Sequence, residues 1–144
     1  MKIDFWQLSR DPVEKVTALI AKRVFDQGDR LLVVSADAAA RKAISEALWK
    51  AGPETFLANG EAGQPGAELQ PILLSETCDP INGANHVIFA DGRFRDPEGF
   101  ARSFLLFDEA SLEHARQTWK ALGDRESLER RFFRQDAGKW VEVA

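Results

Sequence analysis

The stretch Arg30-Leu31-Leu32-Val33-Val34-Ser35 constrains the fold more than any other part of the chain. Its unbroken aliphatic run has no polar alternation, which suits a strand covered on both faces, and such strands belong to parallel sheets with helical crossovers. The flanking sequence supplies those crossovers. Ile3 to Leu8 reads as a first strand, and Asp11-Pro12-Val13-Glu14 comes next as an N-cap, a proline at the first helical position and an early glutamate. Val13, Val16, Ile20 and Val24 then recur at helical spacing to about Gln27, where Gly28 suits a left-handed cap. After the Val33 strand, Asp37 is placed to cap a second helix with the stripe Ala40, Ile44, Ala47, Leu48 and Ala51, ended by Gly52-Pro53. Two successive strand–helix units predict an α/β fold: a mostly parallel, Rossmann-like sheet with helices on both faces, forming a single domain over residues 1–144.

Further strands are expected at Phe56-Leu57, Pro71 to Leu74, His86 to Ala90 and Phe104 to Phe107, with an exposed loop from Ala58 to Gln70. A helix opened by Asp108 or Ser111 should run to about Leu122, burying Leu112, Ala115, Trp119 and Leu122. Beyond Gly123 the pattern is divided. Leu128 to Gln135 could continue as helix, whereas Asp136-Ala137-Gly138 before Lys139 to Val143 reads as a hairpin turn and a closing strand.

The alternation invites a nucleotide-binding reading, and the first strand–helix connection is where to test it. Ser9-Arg10-Asp11-Pro12 has no glycine to cradle a phosphate, and Asp11 would repel one. Gly60, Gly63 and Gly66 are followed by no P-loop lysine and open no helix. Cys78 is the single cysteine, so no internal disulfide forms, as suits a reducing cytosol; the histidines, His86 and His114, lack a third ligand at metal-site spacing. His86 at a strand start reads as a partly buried, hydrogen-bonded residue, and Ser35, without the glycines of a nucleophile elbow, as a capping one. The chain therefore offers no catalytic residue, cofactor site or metal site, and with no leader-like start or long apolar run it is expected to be cytoplasmic.

A net charge of −4 argues against general nucleic-acid affinity, but the charge is unevenly spread. Seven cations and four anions between Arg116 and Lys139 make that segment +3 and the remainder −7. Its densest point is Ala115-Arg116-Gln117-Thr118-Trp119-Lys120. On a helix Arg116 and Lys120 are i,i+4 neighbours beside an indole, so two cations and a flat apolar surface converge on one patch. An acidic peptide ending in an aromatic residue would find there both charge-assisted hydrogen bonds and apolar contact. Trp119 also lies on the apolar stripe, so part of its ring must face the core. Trp6 reads as core, whereas Trp49, about 100° from the Leu48 stripe, reads as edge-exposed and could form an apolar docking patch with Phe56-Leu57 or cover the sheet rim.

Together these segments resemble the chi subunit of bacterial DNA polymerase III. The likeness spans nearly the whole chain. It rests on Ala47-Leu48-Trp49 with Phe56-Leu57, Pro71-Ile72-Leu73-Leu74, Asn82-Gly83-Ala84 leading into Val87-Ile88-Phe89, Leu106-Phe107-Asp108, Ala115-Arg116 with Trp119-Lys120, and Phe132-Phe133-Arg134-Gln135-Asp136 with Gly138-Lys139-Trp140. The resemblance implies a non-catalytic accessory protein of the clamp-loader assembly that binds the acidic, phenylalanine-ended C-terminal tail of single-stranded-DNA-binding protein and bridges it to the polymerase through the psi subunit. It places the tail pocket on Arg116, Trp119 and Lys120, with Trp119 where the family often has tyrosine. Leu112 stands one turn earlier, where some members carry a further cation. A psi-facing surface would include Trp49 and Phe56. Two rivals from other classes are a small α/β enzyme using Arg116 and Lys120 as an anion clamp, and a direct binder of single strands that stacks bases on its aromatic residues.

Overall fold

The computed structural model describes residues 1–51, 57–125 and 127–144. Among these residues eight strands form one sheet: β1 (Lys2–Gln7), β2 (Leu31–Val34), β3 (Asn59–Glu61), β4 (Ile72–Ser75), β5 (His86–Phe89), β6 (Arg102–Phe107), β7 (Glu129–Asp136) and β8 (Lys139–Glu142). Their spatial order is β3-β4-β2-β5-β6-β1-β7-β8, and every neighbouring pair is parallel except β7 and β8. The helices α1 (Val13–Asp26), α2 (Ala38–Trp49) and α3 (Leu112–Leu122) make the architecture α/β.

The aliphatic run behaves as its composition requires. Leu31 to Val34 are all fully buried, Leu31 and Val33 in one apolar cluster and Leu32 and Val34 in the other, because successive side chains leave a strand on opposite faces. The first cluster packs beneath α1 and α2 through Val16, Ile20, Val24, Ile44 and Leu48. The second lies against α3 through Ala115 and Leu122, with Phe100 and Ala84 from connecting segments. The sheet thus carries helices on both faces.

Several local features depart from the sequence reading. Asp11 does not cap α1: the residue before the helix is Pro12, and the Asp11 carboxylate instead accepts hydrogen bonds from Lys15 and from the Gln135 amide, tying the α1 entrance to β7. Asp37 does cap α2, accepting from the Ala39 amide, while the buried Ser35 hydroxyl takes the Asp37 amide in the turn before it. Ala51 is exposed, so the buried part of the α2 stripe is Ile44 and Leu48. The strand expected at Phe56-Leu57 is instead β3, at Asn59–Glu61; Leu57 is buried but outside any strand, and Phe56 lies outside the described residues. The segment from Ala58 to Gln70 is accordingly less open than expected. The Asn59 side chain holds it by accepting from Ser45 and donating to the Leu57 carbonyl, and Ala67 is buried in a short 3-10 turn.

The divided reading after Gly123 resolves to strand. β7 runs parallel to β1, and Ala137 and Gly138, with φ of 51° and 82°, make the two-residue hairpin turn into β8. β1 therefore lies between β6 and β7, and its register sets Phe5 beside Phe132 and Trp6 beside Phe133. No helix among the described residues is long and apolar enough to cross a membrane.

Candidate peptide-binding site

The site is assembled where α3 crosses β1 and β7. The 3-10 turn Glu109–Ser111 that leads directly into α3 starts with a reciprocal cap, in which the Asp108 carboxylate accepts the Ser111 amide and the Ser111 hydroxyl accepts the Asp108 amide. That fixed start sets the phase of the helix, so that Ala115 and Leu122 are buried, Trp119 is half-buried, and Arg116 and Lys120 are exposed. The Trp119 indole meets the ring of Phe5 at 5.1 Å and that of Phe132 at 5.9 Å, each edge to face. Phe5 and Phe132 lie nearly parallel at 6.4 Å, and Phe107 closes the group. Such pairs add about 0.5–1.5 kcal/mol each beyond the area they bury, so the indole is anchored on one side by the core.

Its outer part walls a depression of about 210 Å³ lined by Arg116, Trp119, Lys120, Phe132 and Ala144. The floor is apolar and the rim is cationic. Among the described residues no carboxylate lies within the 4.0 Å ion-pair distance of Arg116 or Lys120, so both heads are available to a ligand. The backbone of the last residues forms one side, because the Phe132 amide donates to the Ala144 carbonyl at 3.0 Å and the Val143 amide to the Phe132 carbonyl at 2.8 Å. A third cation stands beside the indole: the Arg130 guanidinium lies 4.1 Å from the Trp119 ring centroid and donates to the Trp119 carbonyl. This arrangement can hold an aromatic or aliphatic side chain while pairing with carboxylates next to it.

The structure thus brings Arg116, Trp119 and Lys120 together, as their spacing predicted. Leu112 is not part of the depression. It is half-buried against the core cluster one turn away, which is what an apolar residue on that face of α3 should do. Phe132 and Arg130 were missed as site residues. The signal that could have found Phe132 is register: only once β7 is known to pair with β1 does Phe132 fall next to Phe5 and beneath Trp119. Trp49, at the end of α2, is 46% exposed, consistent with an edge position; its companion Phe56 lies outside the described residues. The two histidines are structural in their surroundings. His86 is buried with Nδ1 2.8 Å from the Asn85 side-chain oxygen, and burial pushes its pKa below the ordinary value; the exposed His114 accepts the Phe94 amide through Nε2. Among the described residues no group of three or more histidine, cysteine, aspartate or glutamate side chains is placed to hold a metal ion.

Comparison with known proteins gives one family. The model of the DNA polymerase III chi subunit, HolC, matches residues 1–128. No curated protein sequence matches the chain. Among solved structures, the C-terminal domain of the SWI2/SNF2 ATPase of Sulfolobus solfataricus matches with a TM-score of 0.49 and 16% identity, over 76% of this chain and 55% of that one. The chain spans little more than half of that protein's length, and a likeness at this level carries no functional argument.

Proposed function

The chain belongs to the DNA polymerase III chi subunit family, accessory proteins of the replicative polymerase, and we propose that it serves there as a non-catalytic adaptor for the acidic C-terminal tail of single-stranded-DNA-binding protein. One observation carries this reading: the apolar depression between Trp119 and Phe132 is edged by Arg116 and Lys120, neither of them paired with a carboxylate among the described residues. A phenylalanine-ended acidic tail has the matching parts. Its ring would sit in the depression against Trp119 and Phe132, and its carboxylates would pair with Arg116 and Lys120. Affinity is modest and falls with salt, since an ordered tail loses conformational entropy and exposed ion pairs are screened.

The second contact of the adaptor would be a psi subunit or another clamp-loader component, seated on the exposed Trp49. Capture of such a component from the native cell by the wild-type protein and not by Trp49→Ala supports that assignment; equal capture by both removes it. The protein would act in the cytoplasm, alongside the polymerase.

Calorimetric titration with an acidic peptide ending in phenylalanine tests the main reading. Saturable binding to the wild-type protein is expected, weakened in Arg116→Ala and in Lys120→Ala. Unchanged affinity in both variants would overturn it. Anisotropy with a labelled peptide and a labelled oligonucleotide, run side by side, separates the adaptor from a direct binder of single strands.

A further inference from the structure

The β7–β8 hairpin has one covered face and one open face. Directly opposed residues of an antiparallel pair share a face, so the register that sets Gln135 beside Trp140 and Phe133 beside Glu142 puts these four on the side of Trp6, where Phe133 and Trp140 are packed. Phe132, Arg134, Asp136, Lys139 and Val141 lie on the other side, the one that carries α3. There α3 reaches Phe132 through Trp119, and beyond Phe132 the face is open: Arg134, Asp136, Lys139 and Val141 are all exposed, Val141 to 41%.

This open face is continuous with the peptide depression. Phe132 belongs to both, and Ala144, which borders the depression, follows shortly after β8. The charge also keeps its sign. Arg134 and Lys139 have no carboxylate within 4.0 Å among the described residues, and Asp136 is the one acidic side chain on this face of the hairpin. Arg130, toward the other end of β7, is by contrast already engaged with the Trp119 ring and carbonyl. Unpaired cations therefore continue from Arg116 and Lys120 onto the hairpin. Lys139 stands opposite Asp136, four residues along β7 from Phe132. At about 3.4 Å per residue the face extends roughly 14 Å beyond the depression, the reach of about four extended residues.

We infer that the open face of the hairpin is the second half of the peptide site: the residues upstream of the terminal aromatic run in extended form from the depression along β7 and β8, their carboxylates pairing with Arg134 and Lys139 and their apolar atoms covering Val141. This rests on the peptide reading of the depression and adds to it the character of the ligand, an acidic segment rather than an acidic end. The test compares two synthetic peptides ending in phenylalanine, one of about four residues, which fills only the depression, and one of about ten with further aspartates upstream. In calorimetry the longer is expected to bind about fivefold tighter, as two exposed ion pairs allow. The double variant Arg134→Gln, Lys139→Gln should remove that advantage and leave the shorter peptide's affinity and the thermal melt unchanged. Lys22→Gln, which removes one charge from α1 on the opposite face of the sheet, should leave both affinities in place. In the isotope-labelled protein the Lys139 and Val141 amide resonances should move with the longer peptide and stay with the shorter. Equal affinity for the two peptides overturns the inference, as does an advantage that survives in the double variant, or movement of Val141 with a single-stranded oligonucleotide and not with the longer peptide. Failure of the depression itself is read separately, from a short peptide that binds Arg116→Ala and Lys120→Ala as well as it binds the wild-type protein. Absence of binding by both peptides overturns both assignments.

Discussion

Two aromatic groups stand back to back across β1, and they differ in what their cations do. On one side Phe5, Phe107, Phe132 and Trp119 pack together, and the cations at the edge, Arg116 and Lys120, face solvent. On the other, Trp6 packs against Phe133 at 5.2 Å and Trp140 at 4.6 Å, and two of the cations beside them, Arg102 and Arg131, converge on the fully buried Asp4. The same residue types thus serve two ends. A guanidinium locked on a buried carboxylate is bound to the fold, since removing either partner leaves an uncompensated charge. A cation at the rim of an apolar depression contributes little to stability and remains free to pair with a ligand.

The contrast breaks first at Asp4. Asp4→Asn keeps the shape but leaves Arg102 and Arg131 without their shared countercharge, and it should lower unfolding stability by about 3 kcal/mol, softened because both guanidiniums reach water. Urea denaturation measures this loss. Peptide affinity of the folded protein should not change, and a parallel loss of binding would show that the two sides of β1 are not independent.

Trp119 belongs to both descriptions at once. Trp119→Ala should cost about 2–3 kcal/mol, less than a fully buried tryptophan because half of its ring is outside the core, and should abolish peptide binding. Trp119→Phe separates the roles: it retains part of the packing on Phe5 and Phe132, so most of the stability returns while the depression loses its outer wall. Recovery of full affinity in that variant would assign the wall to Phe132 alone.

Arg116→Ala and Lys120→Ala should each weaken the peptide about fivefold to tenfold, in line with one charge-assisted hydrogen bond, and shift stability by less than about 0.5 kcal/mol. A loss of stability above that range in either variant would place the residue with Asp4 and its partners rather than at a free rim.

The sequence showed the inner strands and the helical side of the site, and it left the sheet side hidden. Leu31 to Val34 announce a strand buried on both faces, and the i,i+4 spacing of Arg116 and Lys120 with Trp119 between them places all three on one patch of a helix, because both inferences use only local periodicity. Phe132 could not be found in this way. Its position depends on β7 returning parallel to β1 across a sequence separation of more than a hundred residues, and Leu128 to Gln135 has no apolar alternation strong enough to distinguish strand from helix. Asp11 misled for a related reason: the cap it resembles is local, whereas its partner Gln135 is distant. Nor could Asp4 be recognised, since a carboxylate inside a strand is tolerable only once Arg102 and Arg131 are brought to it by neighbouring strands.

The smallest effect makes the finest test of the contrast, because it concerns one side chain with two acidic neighbours. Arg131 donates to the buried Asp4 at 3.0 Å and also approaches Glu142 at 4.0 Å, where the glutamate is 52% exposed. The same guanidinium is thus half of a buried pair and half of a surface one. Water and salt screen the second, and the long glutamate side chain loses freedom to form it, so Glu142→Gln should change stability by less than about 0.5 kcal/mol. High salt should reduce even that difference, while the Asp4→Asn deficit should persist, since a buried pair is screened far less. Equal costs at Asp4 and Glu142 would mean that burial does not separate structural cations from free ones in this protein, and the distinction drawn for Arg116 and Lys120 would lose its physical basis.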